Sequence, residues 1–178
     1  MSISIPKLKA ILLYFAENTN ARFLGKVKLM KLFYFLDFMH LKNFGTPVTG
    51  DTYIKLDHGP IPSTIKNLID DAAENIETSE LQDTIYFERP IGLMYQVKPT
   101  RKLTEDDRKL FSPNEIEILE KVCKRYGNST MKEIESASHE EAPWAKSKMY
   151  DVIPYTLAAQ DSDSQFSEEE LDLIKYLN

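Results

Sequence analysis

The chain has 178 residues, of which 42% are hydrophobic and 28% are charged, and this composition is that of an ordinary globular protein. It excludes a disordered, collagen-like or coiled-coil chain, and its length is within the range of one domain that folds without disulfides or metals. The net charge of −6 argues against specific or non-specific nucleic-acid binding, which depends on neutralising phosphates.

Positive charge is concentrated in the first third of the chain. Residues 1–60 carry 8 basic and 4 acidic side chains, whereas the remaining residues carry 14 and 24. A basic patch on one side of the protein is therefore expected, and binding to an acidic partner through it should weaken with salt.

A cytoplasmic location without membrane contact is expected. Cys123 is the single cysteine, so the chain needs no oxidising compartment for an internal disulfide. The first residues lack the basic segment and continuous apolar core of a secretion signal. The most apolar stretch, residues 29–41, contains three polar side chains and is too short to span a bilayer.

Two helices are predicted in the first 43 residues. The first begins at Pro6, ends near residues 18–20, and has apolar side chains at the spacing of one helical face, namely Leu8, Ile11, Leu12 and Phe15. The second covers residues 27–43 and is apolar nearly all round, so it must be covered on most sides and form the centre of the core. Lys26, Lys28 and Lys31 are interpreted as the polar edge of this helix. Its aromatic residues Phe33, Tyr34 and Phe35 are interpreted as core rather than stacking platforms for bases.

The middle of the chain predicts short strands around a third helix. Residues 53–57 alternate like an extended segment and lead into a turn at residues 58–60, after which Pro62 and Ser63 begin the helix. Two β-rich runs, residues 84–88 and 93–97, flank Pro90 and Gly92 and predict a hairpin.

Capping boxes mark two helices in the second half. Ser112 with Glu115, and Ser167 with Glu170, have the spacing at which each side chain binds the backbone of the other residue. A helix between them restarts at Ser129 or Thr130. The predicted organisation is a domain over residues 1–160, followed by a polar linker and a C-terminal helix, residues 161–178, packed on the same domain.

The sequence contains no constellation that indicates catalysis or metal binding. His40, His58 and His139 lie outside any HExxH or Cys/His spacing, and Cys123 is expected to be a buried small hydrophobe. There is no GxSxG elbow, P-loop or GxGxxG motif. We therefore expect neither an enzyme nor a cofactor, although an enzyme with an unrecognised site stays an alternative.

Three segments taken in order are more specific than any one of them. They are residues 28–35, KLMKLFYF; residues 57–61, DHGPI; and residues 126–130, YGNST, leading to residues 138–144, SHEEAPW. In order and spacing they resemble the Panacea domain, a family of SocA-like antitoxins and phage-associated proteins. The resemblance covers residues 6–147, with Met30 and His58 standing where the family often has glutamine and tyrosine.

The resemblance implies a function as well as a fold. It implies an antitoxin that neutralises a cognate toxin by direct contact, or an adaptor that delivers a partner to a AAA+ protease. Because the partners of the family are diverse, most motif residues are expected to hold the fold. The family-motif or partner-binding candidates are Lys28, Lys31, Tyr34, His58, Gly59, Pro60, His139 and Trp144.

The predicted fold class is α+β and predominantly helical, a compact single domain with a small β-hairpin or short sheet. Trp144 has two interpretations at this stage. A lone tryptophan is at least as often an anchor on the core as a hot spot for a partner.

Overall fold

The protein is arranged around one helix that is buried on all sides. The computed structural model describes residues 4–89 and 95–177, and in it α1 covers Ile5–Asn18 and α2 covers Lys26–Phe44. Every residue of α2 from Lys28 to Lys42 is buried. The helix ends at Gly45, whose φ of 78° lets its N–H donate to the carbonyl of Leu41. Both predicted helices are confirmed.

Two antiparallel hairpins lie against the helices. In the first, β1 (Tyr53–Leu56) pairs with β2 (Gly59–Pro62), and α3 (Ser63–Glu74) follows directly. In the second, β3 (Ile85–Glu88) pairs with β4 (Gln96–Pro99). The other edge of β1 is bonded by the segment 150–153, with Ile54 opposite Val152.

The second half of the chain is helical and covers α2. Its helices are α4 (Glu105–Arg108), α5 (Pro113–Tyr126), α6 (Met131–Glu140), α7 (Ala142–Lys146), the 3₁₀ helix (Tyr155–Gln160) and α8 (Glu168–Leu177). Helices α5 and α6 pack on α2, and α8 packs on the 3₁₀ helix. The predicted capping boxes at Ser112 and Ser167 are present, and Thr104 and Thr130 begin helices in the same way.

The predicted fold class is confirmed, because 55% of the chain is helical and 10% is in two small antiparallel sheets. Two local predictions were wrong. The turn lies at residues 57–58, and Gly59 and Pro60 belong to β2. The strand predicted over residues 93–97 begins at Gln96, while Pro90, Gly92 and residues 93–94 lie outside the described residues. Helices α4 and α7 and the 3₁₀ helix were not predicted.

A buried carboxylate on α2 organises the loop and strand that follow. Asp37 accepts hydrogen bonds from the backbone N–H groups of Val48 and Thr49 at 2.9 and 2.6 Å, and from the hydroxyl of Thr49. The hydroxyls of Tyr53 and Tyr155 also donate to it, at 2.9 and 3.2 Å. Burial raises the pKa of Asp37, although these hydrogen bonds oppose the shift.

Replacing Asp37 with alanine should destabilise the protein strongly. The Asp37→Ala change leaves the buried hydroxyl of Tyr53 and the backbone N–H groups of Val48 and Thr49 without their acceptor, so we expect a loss of about 3–5 kcal/mol in the free energy of unfolding. Urea denaturation followed by far-UV circular dichroism measures it. Asp172→Ala, at an exposed position of α8, is the control and should change stability by less than about 0.5 kcal/mol. Equal stabilities would contradict the assignment.

Candidate functional site

A lysine from α2 is locked into the first hairpin. Lys31 is fully buried, and its Nζ donates a hydrogen bond of 2.8 Å to the carbonyl oxygen of Pro60. Its partner strand β2 is buried at all four positions and packs against both α2 and α6. The buried ammonium therefore connects the centre of the core to the first hairpin. This contact joins two of the three segments singled out in the sequence, residues 28–35 and 57–61.

Gly59 makes this close approach possible. Its φ is 94°, a backbone conformation that residues with a Cβ rarely adopt. A Cβ at this position would lie 2.7 Å from Oγ of Ser138 and 2.8 Å from Cε of Lys31. Helix α6 and helix α2 thus both contact the backbone of β2 at the same residue, and only glycine leaves room for them.

The Lys31 ammonium lacks an ion-pair partner among the described residues. Burial lowers the pKa of Lys31 to about 7, and the charge of Glu135 on α6 offsets only part of that effect. Near neutral pH this side chain is therefore poised between its charged and uncharged forms. Among the described residues, the neutral carbonyl of Pro60 is its one hydrogen-bond acceptor.

We call the close contact of Lys31 and Ser138 with Gly59 and Pro60 the interlock. Three further side chains stack at its edge. The ring of Trp144 lies parallel to that of His139, with the centroids 3.7 Å apart, and Nζ of Lys55 lies 4.1 Å from the centroid of the tryptophan ring. Trp144 Nε1–H donates to the carbonyl of Leu56 at 3.3 Å. The tryptophan is partly buried against the core and joins α7 to the first hairpin.

The histidines of the site differ in exposure. His58 is in the hairpin turn, with its side chain 80% exposed, and its Nδ1 lies 3.3 Å from Oε1 of Glu135. Nε2 of His139 is buried without a hydrogen-bond partner, and burial lowers the pKa of that ring. His40 is not part of this site. Its Nδ1 lies 2.5 Å from the carbonyl oxygen of Thr46, in the loop after α2.

The interpretation of the α2 lysines as a polar edge was wrong for Lys28 and Lys31, which are buried. Lys28 is 1% exposed, and its Nζ donates to the carbonyl oxygens of Gly127 and Ser129 at 2.8 and 2.6 Å. These carbonyls follow the C-terminus of α5, where the helix dipole favours a cation. The side chain is therefore a buried cap of a distant helix, and burial lowers its pKa to about 8.

A third buried lysine contacts the segment that precedes α8. Nζ of Lys42 lies 3.1, 3.4 and 3.0 Å from carboxylate oxygens of Glu141, Asp161 and Asp163. Burial alone would lower the pKa of Lys42, but these carboxylates raise it overall. The buried hydroxyl of Tyr34 lies beside the same group, and its pKa is raised by burial and by the charge of Glu141.

The structure brings most of the candidate residues together. Those around the interlock are Lys31, His58, Gly59, Pro60, His139 and Trp144, while Lys28 and Tyr34 contact other parts of α2's surroundings. Sequence reasoning missed Lys55, Glu135 and Ser138. No local signal marks these three, because their partners lie 77 or more residues away or depend on the close approach at Gly59.

Cys123 is buried, as expected, and burial raises the pKa of its thiol to about 12. Within residues 4–89 and 95–177, no group of three or more His, Cys, Asp or Glu side chains is placed to hold a metal ion. Over the same ranges, the helices are too short or too polar for a membrane span.

Comparison with known proteins gives one match. The family model described as "Antitoxin SocA-like, Panacea domain" matches residues 29–145, about two-thirds of the chain. The matched range includes the interlock of Lys31 with β2 and the stack of His139 on Trp144. No curated protein and no solved structure gives a significant match.

Stability should depend on pH through Lys31. The pKa of about 7 in the folded protein is below the ordinary value of 10.5, so between these values the unfolded chain binds more protons. The free energy of unfolding should therefore rise as the pH increases from about 7 to 10, by at most about 5 kcal/mol. In Lys31→Met this rise should be smaller, since the titrating group is gone.

Urea denaturation at pH values from about 6 to 9.5 measures this difference. Lys124→Met, which removes an exposed lysine of α5, is the matched control and should keep the pH dependence of the parent. Parallel curves for the parent and Lys31→Met would show that Lys31 keeps an ordinary pKa.

The glycine of the interlock can be tested separately. Gly59→Ala should lower the free energy of unfolding by about 3 kcal/mol or more, because it combines an unfavourable φ with contacts to Lys31 and Ser138 that are too close. Gly50→Ala is the control, since Gly50 also has a positive φ of 66° but its Cβ would have 3.7 Å to the nearest atom. Its cost should be only about 1 kcal/mol. Equal losses would mean that packing at Gly59 contributes nothing.

Proposed function

The chain belongs to the SocA-like Panacea family of antitoxin domains, and from that premise we propose that it neutralises a cognate toxin by direct protein–protein binding. The observation that carries the proposal is the match over residues 29–145. This range contains most of α2, both hairpins, helices α3 to α6 and nearly all of α7. The matched part is therefore the core of the fold and not a peripheral extension.

The geometry of the motif residues supports binding as the mode of action. Lys31 and Pro60 are buried, and Gly59 lies between Lys31 and Ser138. Side chains placed in this way hold two helices and a hairpin in fixed positions, and a rigid surface loses little entropy on binding. We infer that the domain is a preformed scaffold whose surface binds the toxin. A toxin bound in this way can no longer reach its target.

Neutralisation by occupancy has a stoichiometric signature. When the purified protein is added to the product of the neighbouring reading frame, toxic activity should fall in proportion to the amount added and reach its minimum near an equimolar ratio. The two proteins should also elute together in size-exclusion chromatography. Cells that express the toxin alone should stop growing, and co-expression of this protein should restore their growth.

Two other outcomes would assign a different mechanism. Neutralisation at strongly substoichiometric amounts without a detectable complex would indicate catalysis and contradict the proposal. Neutralisation in cells that disappears when the AAA+ proteases are deleted would indicate an adaptor. The destabilised Asp37→Ala variant is the control for folding, and it should rescue growth less well than Asp172→Ala.

A further inference from the structure

A cleft lies at the beginning of α2, away from the interlock. Its volume is about 250 Å³, and it is formed by the loop before α2, the start of β4 and the start of α6. The described residues that line it are Arg22, Phe23, Gly25, Val27, Lys28, Tyr95, Gln96 and Met131. Most of its surface is apolar, so water in it is readily displaced by an apolar group.

Large apolar side chains stand at the mouth of the cleft. Tyr95 is 45% exposed and Met131 is 37% exposed, and Phe23 is partly buried beneath Nζ of Lys28 at 5.8 Å from its ring centroid. Aromatic residues and methionine are the types enriched in the cores of protein–protein interfaces. A concave apolar site of this size accepts a single large side chain of a partner.

The charge of the cleft has one sign. Its lining contains Arg22 and Lys28 but no carboxylate, and no carboxylate of the described residues pairs with the guanidinium of Arg22. Both hydrogen bonds of Lys28 go to neutral carbonyls. The guanidinium of Arg89 adds a third cation, 5.3 Å from the ring of Tyr95. The cleft is therefore complementary to a negative charge beside an apolar group.

We propose that this cleft is where the toxin docks, and that it receives an apolar side chain flanked by a carboxylate. The inference rests on the proposed function and adds the surface and the chemistry that recognises the partner. Five of the eight lining residues precede position 29 and so lie outside the range that the family model matches. The proposed docking surface is therefore built mainly from residues that precede the matched range.

A second exposed surface is the rival location. Met149, Tyr150 and Val152 are 39%, 67% and 54% exposed on the segment that pairs with β1. Its charged neighbours are Lys148 and Asp151, which have opposite signs. This strip therefore offers no charge that selects a partner, whereas the cleft does.

Matched double variants distinguish the two surfaces. Arg22→Glu with Met131→Glu changes the cleft, and Lys148→Glu with Met149→Glu makes the same change in charge and composition on the strip. All four side chains are exposed and lack hydrogen bonds in the structure, so both variants should fold and melt like the parent. The probe is the purified product of the neighbouring reading frame, and its Kd is measured by isothermal titration calorimetry.

The cleft variant should bind at least about tenfold more weakly, and the strip variant should bind like the parent. The affinity of the parent should also fall with salt between about 0.05 and 0.5 M NaCl, more steeply than that of the cleft variant. Parental affinity in the cleft variant would overturn the docking site while leaving the antitoxin function intact. Loss of binding in the strip variant alone would move the interface to residues 149–152. If the parent itself bound no toxin, the proposed function would fail first.

Discussion

The arrangement of the chain depends on three lysine ammonium groups that α2 carries into the interior. A buried charge costs several kcal/mol unless hydrogen bonds or counter-charges replace its water, so each ammonium requires a partner in a fixed position. Lys28 donates hydrogen bonds to the carbonyls after α5, and Lys31 donates one to a carbonyl of β2. Lys42 forms ion pairs with the carboxylates just before α7 and in the segment before α8. A single helix thereby fixes the positions of three distant parts of the chain.

The three lysines are not equivalent, and the difference has a consequence for the surface. Lys42 is surrounded by carboxylates, which hold its charge, whereas Lys28 and Lys31 bond only neutral carbonyls and have lowered pKa values. Among the described residues, neither Lys28 nor Lys31 has a carboxylate at ion-pair distance, whereas Lys26 at the start of α2 pairs with Asp70. Arg22 lies at the same end of the helix, so two of the eight basic residues of the first third, Arg22 and Lys28, line the same cleft.

The sequence predicted what depends on local patterns. Helical periodicity and capping boxes located α1, α2, α3, α5 and α8, because these signals come from neighbouring residues. Lys28 and Lys31 were misassigned because their acceptors lie 29 to 101 residues away, and no local pattern reports such partners. Gly59 and Pro60 indicated a turn although they form a strand, since their composition is typical of turns. Asp37 was overlooked, although a single carboxylate inside an apolar helix was a signal for a buried network.

The positions of the motif residues separate the part of the chain that holds the fold from the part that can recognise a partner. A buried side chain such as Lys31 cannot touch a partner without unfolding part of the domain, so a motif built on it preserves the scaffold and leaves recognition unspecified. Recognition then has to come from exposed residues that the scaffold positions. The cleft satisfies this requirement, because Lys28, which caps the end of α5, is buried at its floor, while Arg22, Tyr95 and Met131 are exposed at its mouth. One fold can in this way serve partners with unrelated surfaces.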